Sequence, residues 1–323
     1  MARPVQPVAA LTLSVVAFGL AATMAPAETQ IRIDLGRKLF YDADLSFTGT
    51  MACATCHEQW HGFTDNNRGH PGIYDDPAKR NVPGLANIGA FKNFTWADNS
   101  LGTLQRQARN PLLGTAPIEM GVSGHEDEVV ARFATDPCYD KVFAAAFPER
   151  GGEVSLDTIT LALAAFEKAI VSTDSAWDKA EASGAALANP TAERGRKLFA
   201  EKGCASCHTP PLFSDDAFHK VTELKEGEAD AGLGDVTGKA EDRGMFRTPS
   251  LRNAAMTFPY WHDGRVETIT EAIALHDPAL TGQPQPTGNE VAALIAFLGS
   301  LTDHTMLENP AYALPPEACP LKP

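Results

Sequence analysis

Two segments carry residue types at a spacing that could do chemistry: Cys53-Ala54-Thr55-Cys56-His57 and Cys204-Ala205-Ser206-Cys207-His208. Two cysteines three apart can form thioethers to the two vinyl groups of one haem, and the adjacent histidine then lies under the ring and ligates iron. Two such motifs imply two c-type haems, with His57 and His208 as proximal ligands. The competing reading is a zinc ion held by Cys53, Cys56, Cys204 and Cys207. Zinc requires no histidine after each pair, so haem is preferred. The far side of each iron then decides the function. A haem with two strong protein ligands mainly transfers electrons, whereas one with an open side can bind peroxide or oxygen. Pattern alone does not choose among the remaining histidines and methionines.

The flanks of the two motifs are repeated. Gly36-Arg37-Lys38-Leu39-Phe40 recurs letter for letter as Gly195-Arg196-Lys197-Leu198-Phe199, ahead of each motif. After each motif come a Phe and an Asp two apart, Phe63 with Asp65 and Phe213 with Asp215. Further on, Arg80-Asn81-Val82-Pro83-Gly84-Leu85 resembles Arg247-Thr248-Pro249-Ser250-Leu251, and Trp96 and Trp261 follow at similar distances. Four matched features in one order indicate two related domains, 28–185 and 186–323, joined near the Ala-, Ser- and Gly-rich stretch from Ala182 to Pro190.

These motifs need elements to hold them. Leu156, Ile159, Leu163, Phe166 and Ile170 fall at helical spacing and predict a buried-face helix near 155–172. Val291, Leu294, Ile295, Leu298 and Leu301 predict another near 288–302, and Thr268 to His276 a third, stopped by Asp277-Pro278. Alternating strand patterns are scarce, and Gly, Pro, Asn and Asp clusters fill the rest. The expected fold class is all-α, with two c-type cytochrome-like domains, one covalent haem each, and long loops.

The chain has 323 residues, 44% hydrophobic and 21% charged, which suits a globular protein and excludes long disorder. Lys and Arg number 27 against 41 Asp and Glu, and the resulting net charge of −14 argues against nucleic-acid binding. Arg3, the apolar run from Val8 to Met24 and Ala25-Pro26-Ala27 read as a secretory signal peptide, 1–27, cut after Ala27. A membrane anchor is the alternative, but the run is short and rich in small residues. No later stretch is apolar enough to span a bilayer. Export permits disulfides, and Cys138 and Cys319, the two cysteines outside the haem motifs, are the candidate pair.

The chain resembles the bacterial dihaem cytochrome c peroxidases and their relative MauG, which matures methylamine dehydrogenase. The carrying segments are Leu39-Phe40-Tyr41-Asp42, both CxxCH motifs, Arg80-Asn81, Trp96, Pro117-Ile118-Glu119-Met120-Gly121, Pro249-Ser250-Leu251-Arg252-Asn253 and Pro259-Tyr260-Trp261-His262-Asp263-Gly264. The resemblance implies that the N-terminal haem is the peroxide site and that Glu119 is its distal acid. A carboxylate there can take a proton from the near oxygen of H2O2 and return it to the leaving oxygen. It implies that Trp96 links the two haems. Asn81, Thr257 and Pro259 match the family's interdomain calcium site, partly through backbone carbonyls. In the peroxidases a loop histidine near His70 blocks the peroxide haem until the other haem is reduced, which makes His70 a conditional ligand.

At the second haem the peroxidases place Met after a short helix, and MauG places Tyr. This chain has Glu271-Ala272-Ile273-Ala274-Leu275-His276, so His276 falls there, with Met256 and His262 as rivals. Met raises a haem's potential, so a His/His haem sits lower and better tolerates oxidation above the ferric state. That favours MauG-like chemistry: a periplasmic enzyme that uses H2O2 to oxidise an aromatic residue, Trp first, on a partner protein. One branch of the family accompanies methanobactin and copper-handling operons, and nothing in these residues singles it out. The alternatives are a cytochrome c peroxidase fed by a small cytochrome or cupredoxin, and a non-enzymatic electron-transfer cytochrome.

Overall fold

The computed structural model describes residues 30–224 and 227–316. Thirteen helices carry the fold among these residues. They are α1 (Gln30–Phe40), α2 (Cys53–Cys56), α3 (Leu104–Leu113), α4 (Glu126–Ala134), α5 (Pro137–Ala146), α6 (Leu156–Ala169), α7 (Ala176–Ser183), α8 (Pro190–Glu201), α9 (Leu233–Thr237), α10 (Ile269–Ala274), α11 (Pro278–Thr281), α12 (Gly288–Gly299) and α13 (His304–Leu307). The described strands are β1 (Phe218–His219) and β2 (Phe246–Arg247), paired antiparallel with Phe218 opposite Arg247. Among the described residues no helix is long and apolar enough to cross a membrane.

Local chemistry sets the main helices. Ser155 caps α6 in a reciprocal box with Thr158, each backbone N–H meeting the other's hydroxyl. Asn189 caps α8 and Pro190 takes the first helical position, where its missing N–H costs nothing. Thr268 and Glu271 form the same box at the start of α10. The three helices read from the sequence are present, with shorter ends. α6 stops before Ile170 because the Ile170 carbonyl accepts from Asn87 N–H at 2.9 Å and Ser172 pairs with the Asn87 amide. α12 stops at Gly299, while Leu301 beyond it stays buried.

The repeat has a packing meaning. α1 lies across α6 and α8 across α12. Gly36 is the crossing point of the first pair: a methyl group there would fall 1.8 Å from the Ala162 carbonyl oxygen. Gly195 is the crossing point of the second, 1.9 Å from the Ala293 oxygen. The Leu and Phe that follow each glycine are buried. Two cores result. The first gathers Leu35, Phe40, Phe63, Phe143 and Phe166, with Met306 and Leu307 from α13. The second gathers Leu198, Phe199, Phe213, Leu294 and Phe297, with Trp177 and Ala180 of α7. α7 thus runs into the start of the Ala182–Pro190 joint and packs into the second core, and α13 returns to the first.

Overpacking at such a crossing costs roughly 1–3 kcal/mol, more than the ~1 kcal/mol of helix propensity gained over glycine. Gly36→Ala and Gly195→Ala are therefore expected to lower the thermal unfolding midpoint. Gly299→Ala has open space around the new methyl, and it is expected to be neutral or stabilising in the same melting experiment.

Candidate active site

Each CxxCH segment is built into the same local frame. His57 lies at the end of α2, and its Nδ1 is 2.8 Å from the Phe63 carbonyl oxygen. His208 follows a single 3-10 turn, with its Nδ1 3.2 Å from the Phe213 carbonyl oxygen. Phe63 and Phe213 both adopt left-handed backbone, with φ of 65° and 53°, which turns those carbonyls toward the imidazoles. Their rings are fully buried and meet the repeated Phe of the preceding helix, Phe40 at 6.2 Å and Phe199 at 5.9 Å. The backbone at Pro83 and Pro249 acts on the same two imidazoles. The repeated letters therefore form one device that fixes Nδ1 and leaves Nε2 for a ligand. Burial holds both imidazoles neutral, His57 below its usual pKa and His208 down to about 4, and neutral imidazole is the form that binds metal.

In the second domain His276, just beyond α10, faces His208 across an apolar cavity that Cys204 and Cys207 also line. The His276 Nδ1 is 2.8 Å from the Ala272 carbonyl oxygen, so its Nε2 is also free to ligate. The two ring centroids are 6.5 Å apart. Two imidazoles on opposite faces of one iron, with metal–nitrogen bonds of about 2 Å, place their centroids about 6.3 Å apart. The donor pair therefore fits a haem iron. Met256 packs against the first core and does not line this cavity. His262 lines it but is stacked on Phe246, with centroids 3.6 Å apart, and its Nε2 is 3.7 Å from Glu228.

The first domain is different. Cys53, Cys56, His57, Glu119 and His70 interact electrostatically as one group. Glu119 is held by main-chain bonds on both sides: its own carbonyl accepts from Ile73 N–H at 2.9 Å, and that of Met120 accepts from Phe47 N–H at 2.9 Å. Glu119 is solvent-exposed, yet enough protein crowds its carboxyl to raise the pKa, with His70 opposing the rise. His70 is on the loop that Ile73 hooks to Glu119, and Gly72 packs so closely that a methyl group would fall 1.7 Å from the Ile118 oxygen. The His70 Nδ1 is 2.7 Å from the Pro71 oxygen, which again leaves Nε2 unengaged.

Trp96 lies between the two domains and lines the cavity of the second. Its indole N–H donates to the Asn81 carbonyl at 2.8 Å, and its own carbonyl accepts from Arg247 N–H at 2.7 Å. The Asn81 amide donates to the Pro259 carbonyl at 2.6 Å, and Thr257 lines the same cavity. Asn81, Thr257 and Pro259 carry oxygens of the type a hard cation takes, but here Asn81 turns its amide N–H, not its oxygen, to the Pro259 carbonyl. Cys319 lies outside the described residues, and so does the Cys138–Cys319 pairing. The signal peptide, 1–27, also lies outside them.

One buried group was not singled out from the sequence. Glu167 of α6 is 7% exposed, its Oε2 has no hydrogen-bond partner, and burial pushes its pKa to about 8. It acts on Cys53. Its signal was available, because it falls four residues after Leu163 on an otherwise apolar face.

A family model described as di-haem cytochrome c peroxidase matches residues 30–186, and one described as cytochrome c matches 192–302. The methylamine utilization protein MauG of Methylorubrum extorquens is 35% identical over 288 residues, covering 84% of this chain and 78% of that protein. The chain belongs to the dihaem cytochrome c peroxidase and MauG family. Members of this family are dihaem, H2O2-dependent oxidoreductases, and the two cytochrome c domains imply two c-type haems. The cytochrome c551 peroxidase of Nitrosomonas europaea is 32% identical over 318 residues, covering 97% of this chain and 87% of that protein. The crystal structure of a MauG-like protein associated with microbial copper homeostasis superposes with a TM-score of 0.83 at 35% identity, covering 90% of this chain and 94% of that one. These likenesses place the chain in the MauG-like branch.

Proposed function

We propose that the chain is a periplasmic MauG-like enzyme that uses H2O2 to oxidise an aromatic residue, Trp first, of a partner protein. The observation that carries this reading is the opposition of His208 and His276 at 6.5 Å. Two nitrogen ligands favour a lower potential than a His/Met pair does. The bound haem pair supplies the two-electron reduction of peroxide and holds the resulting oxidising equivalents.

The chain's own residues do the rest. Cys53 and Cys56 attach one haem and Cys204 and Cys207 the other. With haem bound, His57 would hold the first iron, and His208 and His276 would together hold the second. Glu119 receives the proton from the near oxygen of H2O2 and delivers it to the far oxygen, so that H2O2, two protons and two electrons become two waters. Trp96 lies on the electron path between the domains. Asn81, Thr257 and Pro259 hold a Ca2+ that ties the domains together, a Cys138–Cys319 disulfide fastens the C-terminal tail, and His70 is the conditional ligand of the first iron.

A second reading, a cytochrome c peroxidase fed by a small electron carrier, is favoured by the likeness to the cytochrome c551 peroxidase across 97% of the chain. Low-temperature EPR and optical spectra of the diferric protein, before and after one equivalent of H2O2, separate the two. The expected result is one high-spin and one low-spin haem, both signals disappearing without prior reduction. A reaction that starts only after the second haem is reduced would establish the gated peroxidase instead.

A further inference from the structure

The segment from Lys92 to Trp96 belongs to the first domain, but the second domain holds it. The Asp216 carboxylate accepts from Lys92 N–H at 2.7 Å and Asn93 N–H at 3.2 Å, and its carbonyl accepts from the Asn93 amide at 2.7 Å. Arg247 continues the grip. Its backbone N–H donates to the Trp96 carbonyl at 2.7 Å, and its Nε donates to the Thr95 carbonyl at 3.1 Å. The Arg247 side chain is 5% exposed, and its Nη1 is 3.9 Å from the Asp216 carboxylate, too far for a hydrogen bond.

A buried guanidinium with so loose a counter-charge is costly, and a packed apolar side chain would serve stability as well or better. What an apolar side chain cannot do is hold the Thr95 carbonyl from across the domain joint. Asp216 adopts left-handed backbone, with φ of 57°, which a short polar side chain tolerates better than most. Both residues thus occupy conformations or environments that local stability alone does not favour, and both point at the same five residues.

We infer that Asp216 and Arg247 are positioning residues, which set where Trp96 lies relative to the second haem and so control electron passage between the domains. This rests on the reading of Trp96 as the link. With both haems bound, the step this would set is the passage of one electron from the second haem by way of Trp96, one of the two that reduction of H2O2 at the first requires.

The test uses the full diferric dihaem protein mixed rapidly with one equivalent of H2O2. Asp216→Ala is compared with Asp216→Asn, which keeps an oxygen acceptor for the two N–H groups, and with Trp96→Phe and the double variant. Two rates are read: the spectral change of the first haem and the loss of the low-spin EPR signal of the second. In Asp216→Ala the first rate is expected to stay at the wild-type value while the second falls at least tenfold. Asp216→Asn is expected to recover most of it, and the double variant to be no slower than Trp96→Phe alone. Slow transfer in Trp96→Phe with wild-type speed in Asp216→Ala, or additive slowing in the double variant, would overturn the positioning role alone. Wild-type speed in both single variants would overturn the Trp96 reading and the positioning role with it.

Discussion

Glu119→Gln is expected to leave both haems attached and to slow peroxide-driven oxidation at least about tenfold, within the range of acid–base catalysis. Gln keeps the shape and the hydrogen-bonding reach of the carboxyl but can neither take a proton from peroxide nor return one. The main chain around Glu119 is fixed by Ile73, Phe47 and the flanking Met120, so the substitution should not move the backbone. Crowding by protein raises the Glu119 pKa. The carboxyl must be ionised to accept the peroxide proton, so wild-type activity should rise with pH through that raised value. The same limb should be missing from the pH profile of Glu119→Gln. Stopped-flow rates across pH for both proteins check the two expectations, and unchanged kinetics in the variant would remove Glu119 from the mechanism.

His276→Ala should convert the second haem from low-spin to another coordination state while leaving the first haem's spectrum in place. The reason is geometric: His276 is the side chain facing His208 at 6.5 Å with its Nδ1 already committed to the Ala272 carbonyl. His276→Met supplies a thioether at the same position and should raise the potential of the second haem. It should also shift the enzyme toward needing prior reduction before it reacts with peroxide. Optical and EPR spectra together with a redox titration read both variants, and an unaltered low-spin signal in His276→Ala would rule out ligation by His276.

Some of this protein was legible in its letters because the determining interactions are local. A CxxCH motif specifies haem attachment within five residues. The spacing of Leu156, Ile159, Leu163 and Phe166 specifies α6, and the duplicated Gly-Arg-Lys-Leu-Phe announced two related units. The function of that repeat was not legible. That Gly36 must be bare because the Ala162 carbonyl lies where its methyl would be follows from a crossing between helices more than a hundred residues apart. Likewise the sequence showed two Phe-x-Asp echoes, but only the fold turned the Phe63 and Phe213 carbonyls onto the histidines.

What the sequence by itself determined was the cofactor class and its number, the helical class, the family, and the offering of a nitrogen ligand at His276. Those properties sit in short motifs and in periodicities of three to four residues, which a linear string carries intact. What only the tertiary structure decided was which side chains share a space. It put His276 opposite His208, hooked the His70 loop to Glu119, left the Glu167 carboxyl buried beside Cys53, and let Asp216 and Arg247 reach across the joint to Trp96. Each of these depends on closing long loops and docking one core on another, and no local pattern records the distance between residues brought together in that way.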